Sequence, residues 1–283
     1  MSMYYRVVKK NRLAPGIFSI DIHAPLIARK AKPGQFVVLM TDERGERIPL
    51  TIADWDVSEG YVRLIFEVVG RTTRKLASIE EKQNIYSIAG PLGNPSEVGI
   101  YGRVAVIGGG VGIAACYPIA RGLREAGNDV ISILGARSGD FIILESEMNK
   151  LSEVIITTDD GSRGIKGFVT DALRDILKKV NLNRVWAVGP APMMKAVSDI
   201  TRGTGIKTIV SLNAIMVDGT GMCGSCRVTV GGKMKLTCVD GPEFDGHEVD
   251  WNEFIPRLQR FSEQESSAYH GGCGCGEPYE RED

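Results

Sequence analysis

A short segment rich in cysteine and glycine limits most strongly what this chain can fold into. It reads Asp218-Gly-Thr-Gly-Met-Cys223-Gly-Ser-Cys226 and is followed by Cys238. A plant-type [2Fe–2S] site spaces its thiolates C-x4-C-x2-C, with a fourth cysteine further on. This segment has the same spacing with a carboxylate in the first position, D-x4-C-x2-C-x11-C. The spacing predicts a loop around a [2Fe–2S] cluster with four candidate ligands: Asp218, Cys223, Cys226 and Cys238.

Glycines lie between these candidate ligands, at Gly219, Gly221 and Gly224. Glycine allows a loop to wrap closely around an inorganic core and to point N–H groups at its sulfides. Zinc is the alternative, because a C-x2-C pair with another Cys and an Asp also supplies four tetrahedral ligands. Either metal fits a protein whose thiols are kept reduced.

The composition predicts an ordinary globular protein with more than one domain. The chain has 283 residues, of which 43% are hydrophobic and 24% are charged. Its formal net charge of −1 predicts no general attraction to nucleic acid or to an anionic membrane. The first ten residues lack the apolar stretch of a signal peptide, and glycines interrupt the uncharged run over 104–120. We therefore expect a cytoplasmic protein without a membrane span.

Short alternating runs, separated by turn residues, occupy the first part of the chain. Pro33-Gly34 and Gly90-Pro91 are two of these turns. Many short strands with such turns are typical of a small antiparallel barrel, which we expect over residues 1–98. The expected strands are Tyr4–Lys9, Ile17–Ile22, Gln35–Thr41, Val62–Val69 and Gln83–Ile88.

From residue 99 the pattern changes to strands that alternate with helices. Val104–Ile107 is an apolar strand, Gly108–Gly112 a turn, and Ile113–Ala126 a helix that ends before Gly127. This alternation predicts an α/β domain with a parallel sheet over residues 99–205. Its further elements are the strands Val130–Leu134, Val154–Thr158 and Val185–Val188 and the helix Thr170–Val180.

The cysteine segment forms a third unit, expected over residues 206–262. A helix over Asp250–Phe261 closes it, and Pro256 fits that helix only near its first turn. The helix places four apolar side chains on one face: Phe254, Ile255, Leu258 and Phe261. Residues 263–283 are polar and acidic and predict a loose tail.

The glycine-rich turn Gly108-Gly109-Gly110-Val-Gly112 is a candidate nucleotide site. Backbone N–H groups and the helix dipole at such a turn favour a pyrophosphate, although close strand–helix packing also requires glycine. Two more turns follow strands of the same sheet, Asp159-Asp160-Gly161-Ser162 and Gly189-Pro190. Ligands bind at the carboxyl ends of parallel strands, so we expect all three turns to face one crevice. Taken singly, each is also an ordinary turn.

Two segments of the first domain combine cationic and hydroxyl side chains with a turn. Arg47-Ile-Pro49-Leu50-Thr51 offers a guanidinium to a phosphate and a hydroxyl to a ring nitrogen. The alternative is an edge strand with a bulge at Pro49. Gly70-Arg71-Thr72-Thr73 offers N–H and hydroxyl donors to a second phosphate, or it is a solvated loop.

Taken together, these segments resemble ferredoxin–NADP reductase-type flavoproteins in content and order. The run Ser211-Leu-Asn213 to Cys226 resembles the electron-transfer subunit of dihydroorotate dehydrogenase, which has Cys at the position of Asp218. The Asp, with Cys238-Val-Asp-Gly-Pro-Glu-Phe244, resembles the small subunit of NADH-dependent reduced ferredoxin:NADP oxidoreductase, also described as sulfide dehydrogenase. The resemblance covers roughly residues 1–260.

The resemblance implies FAD in the barrel, NAD(H) in the α/β domain and a cluster at the interface with a larger iron–sulfur flavoprotein. Arg47 would bind the FAD phosphates and Thr51 would lie near the isoalloxazine, with Pro49 and Leu50 between them. The FAD pyrophosphate would lie at Gly70, Arg71 and Thr72. The nicotinamide nucleotide would lie at Gly109, Gly110, Asp160 and Gly189. From the residues alone, NADP(H) stays possible, since Arg137-Ser138 suits a 2′-phosphate while Asp140 or Glu145 suits a free ribose.

Three such cofactors together convert two-electron transfer into one-electron transfer. Nicotinamide delivers two electrons as hydride and a cluster accepts one at a time, whereas a flavin does both. We therefore expect an electron-transfer subunit that passes electrons between NAD(H), FAD and [2Fe–2S], to or from a larger partner that also contacts ferredoxin. A dihydroorotate or sulfide dehydrogenase complex that shares this subunit is one alternative. A zinc-stabilised, nucleotide-binding regulator without flavin is the alternative outside the enzymes.

Overall fold

The computed structural model describes residues 5–261, and the first unit of the chain is an antiparallel sheet. Its elements are β1 (Tyr5–Ala14), β2 (Ile17–His23), α1 (Pro25–Ala28), β3 (Phe36–Met40), β4 (Ile48–Asp56), β5 (Tyr61–Glu67), α2 (Arg71–Ser78), β6 (Asn84–Ile85) and β7 (Ser87–Leu92). The seven strands pair in the order β6-β1-β2-β5-β4-β3-β7. This arrangement confirms the barrel-like antiparallel unit that the turns predict.

One apolar core holds this sheet together. It contains Ile20 of β2, Leu39 of β3, Leu64 of β5 and Leu76 of α2, all almost completely buried. Side chains alternate across a strand, so each strand sends every second residue into the core. The core fixes the sheet, and the segments at its ends carry the polar residues of the candidate sites.

The pairing of β4 explains the proline of the Arg47–Thr51 segment. Pro49 lies opposite Val38 of β3, whereas β5 pairs with β4 only from Ile52 onward. Proline has no N–H to donate and is tolerated where one side of a strand is unpaired. β4 lies between β3 and β5, so the alternative of an edge strand holds only for the residues of β4 before Ile52. The irregularity of the ladder lies between Ile52 and Asp54 and not at Pro49.

The second unit is a mostly parallel sheet with helices on both faces. Its elements are β8 (Arg103–Gly109), α3 (Ile113–Glu125), β9 (Asp129–Ala136), α4 (Glu145–Asn149), β10 (Glu153–Thr158), β11 (Ile165–Lys166), α5 (Val169–Leu177), β12 (Arg184–Val188), α6 (Ala191–Thr201) and β13 (Lys207–Ser211). The order is β11-β10-β9-β8-β12-β13, and one further strand closes the edge beside β13. The parallel sheet is confirmed, while α4, β11, α6 and β13 are additions to the sequence-based expectation.

The helices of this unit divide its core in two. Leu123 of α3 packs with Val104 and Val106 on one face of the sheet. Leu173 of α5 and Val197 of α6 pack on the other face. The sheet is therefore doubly wound, an architecture that places ligand sites at the carboxyl ends of its strands.

The third unit carries the cysteine segment. Its elements are β14 (Arg227–Val230), β15 (Lys233–Leu236), β16 (Glu243–Asp245) and α7 (Trp251–Leu258). β14 and β15 form a hairpin, and β16 pairs antiparallel with β13, which makes the second sheet mixed. This pairing attaches the third unit to the edge of the second sheet.

The closing helix is shorter than the sequence indicates. Asp250 caps its N-terminus by accepting a hydrogen bond from the Glu253 N–H, and the helix ends at Leu258. Pro256 lies inside it, in the second turn and not in the first as expected, so the hydrogen bond to the Asn252 carbonyl is missing. Phe261 falls outside the helix and is 45% exposed, so its expected place on the apolar face was wrong.

Residues 263–283, expected as a tail, lie outside the described residues. Over residues 5–261, no helix is long and apolar enough to span a membrane.

Candidate functional site

Two of the predicted cluster ligands meet in the third unit. The sulfurs of Cys226 and Cys238 lie 3.3 Å apart, and both residues are buried. The hairpin β14–β15 brings them together, because Cys226 directly precedes β14 and Cys238 follows β15 by two residues. Cys223 is exposed, with its sulfur 3.1 Å from the Ser225 hydroxyl.

Asp218 lies at the start of the same loop and organises it. Its Oδ2 accepts hydrogen bonds from the Thr220 N–H, the Thr220 hydroxyl and the Met222 N–H. These bonds, the hydroxyl first, lower the pKa of Asp218. The carboxylate is thus ionised and turned toward the loop. Among residues 5–261, no three His, Cys, Asp or Glu side chains are gathered as a metal site, so Asp218 and Cys223 stand apart from the sulfur pair.

The chemistry of the loop nevertheless fits an iron–sulfur cluster. The Ser225 hydroxyl, followed by the backbone N–H groups of Ser225, Asp218 and Val217, lowers the pKa of Cys223 to about 7. The Gly221 N–H points at the sulfur of Cys238. Burial raises the pKa of the Cys238 thiol to about 12. Amide donors aimed at sulfur are the environment that an iron–sulfur cluster requires of its loop.

Glycine is required where the loop passes the barrel. Gly219 has a φ of +79°, and a Cβ there would lie 2.6 Å from the Cγ2 of Val38 on β3. Only glycine permits both this backbone conformation and this close approach. The cluster loop is therefore packed directly against the first unit.

The two predicted flavin segments also come together. Gly70 immediately precedes α2, which begins with Arg71, and a Cβ at Gly70 would have no atom within 4 Å. This open N-terminus suits a phosphate group. The Thr72 hydroxyl donates to Glu46 Oε2 at 2.7 Å, which joins the start of α2 to the residue before Arg47.

Arg47 links the flavin segment to the cluster loop. Its Nη1 lies 3.5 Å from Asp218 Oδ1, and its side chain is 53% exposed. The two residues are far apart in the sequence, yet the guanidinium faces a candidate cluster ligand directly.

A cleft of about 510 Å³ opens at the glycine-rich turn of the second unit. Gly109 and Gly110 line it, as predicted. Asp160 and Gly189 are not among its lining residues, whereas their neighbours Asp159 and Pro190 are. Gly189 lies behind the turn, where a Cβ would be 3.1 Å from the Gly109 nitrogen, and the Asp160 carboxylate binds Ser162.

Sequence reasoning missed several residues of this cleft. Ile17 and Glu67 line it from the first unit, so the cleft lies between two units. Phe168 precedes α5, and Arg137 follows β9 with its guanidinium 4.7 Å from the ring centroid of Phe141. Arg137 was not missed, because its position directly after a strand had already made it a candidate ligand for a 2′-phosphate. The barrel residues carried no such signal, because their approach depends on the packing of the two units.

Glu243 joins all three units and was also missed. Its Oε1 accepts a hydrogen bond from the Ser96 hydroxyl at 2.5 Å, and its Oε2 accepts one from Trp186 Nε1 at 3.3 Å. Ser96 lies between the first two units and Trp186 on β12. Burial raises the pKa of Glu243 to about 7. A single glutamate has no spacing signal, so the sequence alone does not reveal this contact.

Two segments of the chain match known families. Residues 106–199 match the oxidoreductase NAD-binding domain. Residues 213–250 match the iron-sulfur cluster binding domain of dihydroorotate dehydrogenase B. The predicted nucleotide-binding unit and iron–sulfur segment are confirmed, and the cluster is favoured over zinc.

Relatives match over nearly the whole length. The dihydroorotate dehydrogenase B (NAD(+)) electron transfer subunit homolog of Thermotoga maritima is 51% identical over 263 residues, 93% of each chain. The corresponding electron transfer subunit of Fusobacterium nucleatum is 31% identical and covers 86% of this chain and 96% of that one.

Solved structures show the same fold. A structure of NADH-dependent reduced ferredoxin-NADP oxidoreductase, studied for flavin-based electron bifurcation, superposes with a TM-score of 0.91 at 48% identity. It covers 96% of this chain and 98% of that one. Phthalate dioxygenase reductase shares the fold alone, with a TM-score of 0.56 at 16% identity over 81% and 86% of the two chains.

Fold and matched segments define an oxidoreductase subunit with a nicotinamide-nucleotide unit and an iron–sulfur unit. The chain belongs to the family of dihydroorotate dehydrogenase B electron-transfer subunits. The resemblance drawn from the cysteine segment and the barrel motifs is confirmed.

Proposed function

We propose that this chain is the electron-transfer subunit of a complex with a larger iron–sulfur flavoprotein, and that it passes electrons between NAD(H), FAD and a [2Fe–2S] cluster. The contact between Arg47 and Asp218 carries the proposal, because it places the flavin segment beside the cluster loop. Electron transfer between two cofactors needs such closeness. The cleft between the first two units supplies the remaining site, the one for the nicotinamide nucleotide.

Each unit contributes binding groups. The turn at Gly110 and the N-terminus of α3 bind the nucleotide diphosphate, since backbone N–H groups and the helix dipole favour its charge. Arg47 and the open N-terminus of α2 bind the phosphates of FAD, with Thr51 toward the ring. FAD bound by these residues would supply the chemistry that links two-electron hydride transfer to one-electron transfer. Cys223, Cys226, Cys238 and Asp218 hold the cluster, and the loop amides stabilise its negative charge.

The surface around the cluster loop supports the larger partner subunit. Val217, Met222 and Val239 are 60%, 86% and 48% exposed, respectively. Exposed apolar side chains grouped beside a redox centre suit a protein interface. Ferredoxin is reached through that partner. The net charge of −1 supports neither nucleic acid nor an anionic membrane as a partner.

NAD(H) is the proposed nucleotide, in keeping with the NAD-binding domain that the second unit matches. The guanidinium of Arg137 packs over the ring of Phe141. The Oε2 atom of Glu145 lies 2.6 Å from Nη2 of Arg163. Electrons enter as hydride from NADH, or leave to NAD⁺ when the partner supplies them. We place this chemistry in the cytoplasm, where thiolate-ligated clusters are kept reduced.

A spectroscopic experiment tests the proposal. The chain is purified without oxygen and reconstituted with FAD, iron and sulfide, and its visible spectrum is followed after addition of NADH or NADPH. We expect flavin and cluster bands, bleached faster by NADH. A spectrum without flavin bands would refute the proposal, and faster bleaching by NADPH would refute the nucleotide assignment. Mass spectrometry of the complex from its source tests the partner, which must be an iron–sulfur flavoprotein and not a dihydroorotate dehydrogenase catalytic subunit.

A further inference from the structure

An ion pair bridges the first and second units away from the predicted cofactor motifs. The Nη1 atom of Arg121, on α3, lies 2.6 Å from the Oδ1 atom of Asp54, on β4. The two side chains are only 24% and 16% exposed. A pair this sheltered is screened by salt much less than a surface pair, and its geometry matters more.

Further charges hold Asp54 in place. Its Oδ1 accepts the Trp55 N–H at 2.9 Å, and its Oδ2 lies 3.9 Å from Arg63 Nη1. Arg63 in turn forms two hydrogen bonds to the carboxylate of Asp21, at 2.7 and 2.8 Å. The carboxylate that Arg121 binds is therefore anchored across three strands of the barrel, β2, β5 and β4.

Aromatic rings fix the guanidinium as well. The Cζ atom of Arg121 lies 4.9 Å from the ring centroid of Trp55 and 5.4 Å from that of Tyr117. Trp55 belongs to the barrel, and Tyr117 lies one turn earlier on α3. Cations are attracted to aromatic faces at such distances. Arg121 is thus held from both units and has little freedom to move.

The elements joined by this pair are those that present the two redox cofactors. β4 carries Thr51, the residue proposed beside the isoalloxazine, three positions before Asp54. α3 begins directly after the turn Gly110–Gly112, which lines the nucleotide cleft. The ladder of β4 is irregular between Ile52 and Asp54, but Thr51 and Asp54 still lie on one strand. A fixed contact between Asp54 and α3 therefore restrains the distance between the two cofactor sites.

We propose that Arg121 is a positioning residue for hydride transfer: by binding Asp54 it sets the approach of the nicotinamide site to the flavin site. The inference rests on the proposed function. In the step concerned, one hydrogen nucleus with two electrons passes from NADH to the bound flavin, leaving NAD⁺. Such transfer requires contact between the reacting atoms, and a misplacement of about 1 Å lowers rates on the order of a hundredfold.

Three variants of the FAD- and cluster-loaded chain test the proposal: Arg121→Met, Arg121→Lys and Asp54→Asn. Arg103→Met is the control, because Arg103 pairs with Asp129 at 2.5 Å and both residues belong to the second unit. Flavin reduction by NADH is followed by stopped flow over a range of NADH concentrations, which separates the limiting rate from the apparent Kd. Hydrogen exchange of the β4 and α3 amides reports the contact itself.

For Arg121→Met we expect a tenfold or greater fall in the limiting rate, an unchanged apparent Kd for NADH, and faster exchange in β4. Arg121→Lys should retain an intermediate rate, and Arg103→Met the parental rate. FAD content and the cluster signal should not change. If Arg121→Met does not fold, Arg121→Lys and Asp54→Asn decide the question.

Parental limiting rates in the folded Arg121 and Asp54 variants would overturn the inference alone. A parent protein that binds FAD but is not reduced by NADH would overturn the proposed function and the inference with it. An equal fall in Arg103→Met would also overturn the inference, because the effect would then follow from any lost ion pair.

Discussion

The guanidinium of Arg47 lies 3.5 Å from the carboxylate of Asp218, although the two residues belong to different units of the fold. The first is the proposed phosphate ligand of FAD and the second a proposed ligand of the cluster. A change in either charge therefore alters the electrostatic potential at both sites. This coupling alters what substitutions at the two positions should do.

Arg47→Ala should release FAD and also disturb the cluster. A charge-assisted hydrogen bond to phosphate contributes about 1.5–3 kcal/mol, so FAD affinity should fall tenfold or more. Loss of the cation beside Asp218 should also shift the reduction potential of the cluster, since net charge is one of its determinants. Flavin retention through dilution and a potentiometric titration measure the two effects. Arg44→Ala, in the same exposed loop, is the control and should change neither. Full flavin retention in Arg47→Ala would disprove the phosphate assignment.

Asp218→Cys should still assemble a [2Fe–2S] cluster, because it restores the four-thiolate spacing. Its reduction potential and electron paramagnetic resonance spectrum should differ from those of the parent, since the ligand type changes. Asp218→Ala should give a labile cluster. FAD content should not fall, because Arg47 then loses only a carboxylate that competes with the FAD phosphates. If Asp218 only caps the loop through Thr220 and Met222, Asp218→Cys will leave potential and spectrum unchanged, and another residue must be the fourth ligand.

Sequence reasoning worked where a local pattern determines the structure. The alternation that predicts a strand over Ile17–Ile22 corresponds to β2, and the glycine turn corresponds to the break between β8 and α3. The spacing of Cys226 and Cys238 corresponds to two sulfurs in contact. These three features depend on residues that are close together in the chain.

The same reasoning failed where residues meet through tertiary packing. Arg121 and Asp54 are 67 positions apart, and neither belongs to a recognisable motif. Glu67 and Ile17 reach the nucleotide cleft only because the barrel packs against the second unit. The closing helix was predicted too long because apolar periodicity continues to Phe261, whereas the helix ends at Leu258.

Gly112→Ala should destabilise the second unit and weaken its response to NADH. Gly112 has an ordinary φ of −60°, so the obstacle is space: a Cβ would lie 2.4 Å from the Val188 carbonyl oxygen. Displacing the end of β12 should lower the free energy of unfolding by about 1–3 kcal/mol and should misplace the glycine turn. Gly122→Ala is the control in the same helix, since its Cβ would approach only side chains, at 3.3 Å, and alanine favours a helix by up to about 1 kcal/mol. Thermal unfolding measures both, and equal midpoints would contradict the steric argument.

Glu243 should make the stability of the protein fall as the pH rises from about 5 to 7. Burial raises its pKa in the folded protein from 4.5 to about 7, so over this range the folded state holds a proton that the unfolded state has lost. Its stabilising contribution is complete below the unfolded pKa and declines by about 1.4 kcal/mol per pH unit up to the folded pKa. Glu243→Gln keeps the shape but does not titrate, so its stability should decline less over this range. Glu97, whose pKa is lowered by Arg184 and Lys207, titrates outside the range in both proteins. Denaturation of both proteins between pH 5 and 8 measures the difference, and parallel curves would show that the carboxyl is already ionised in the folded state.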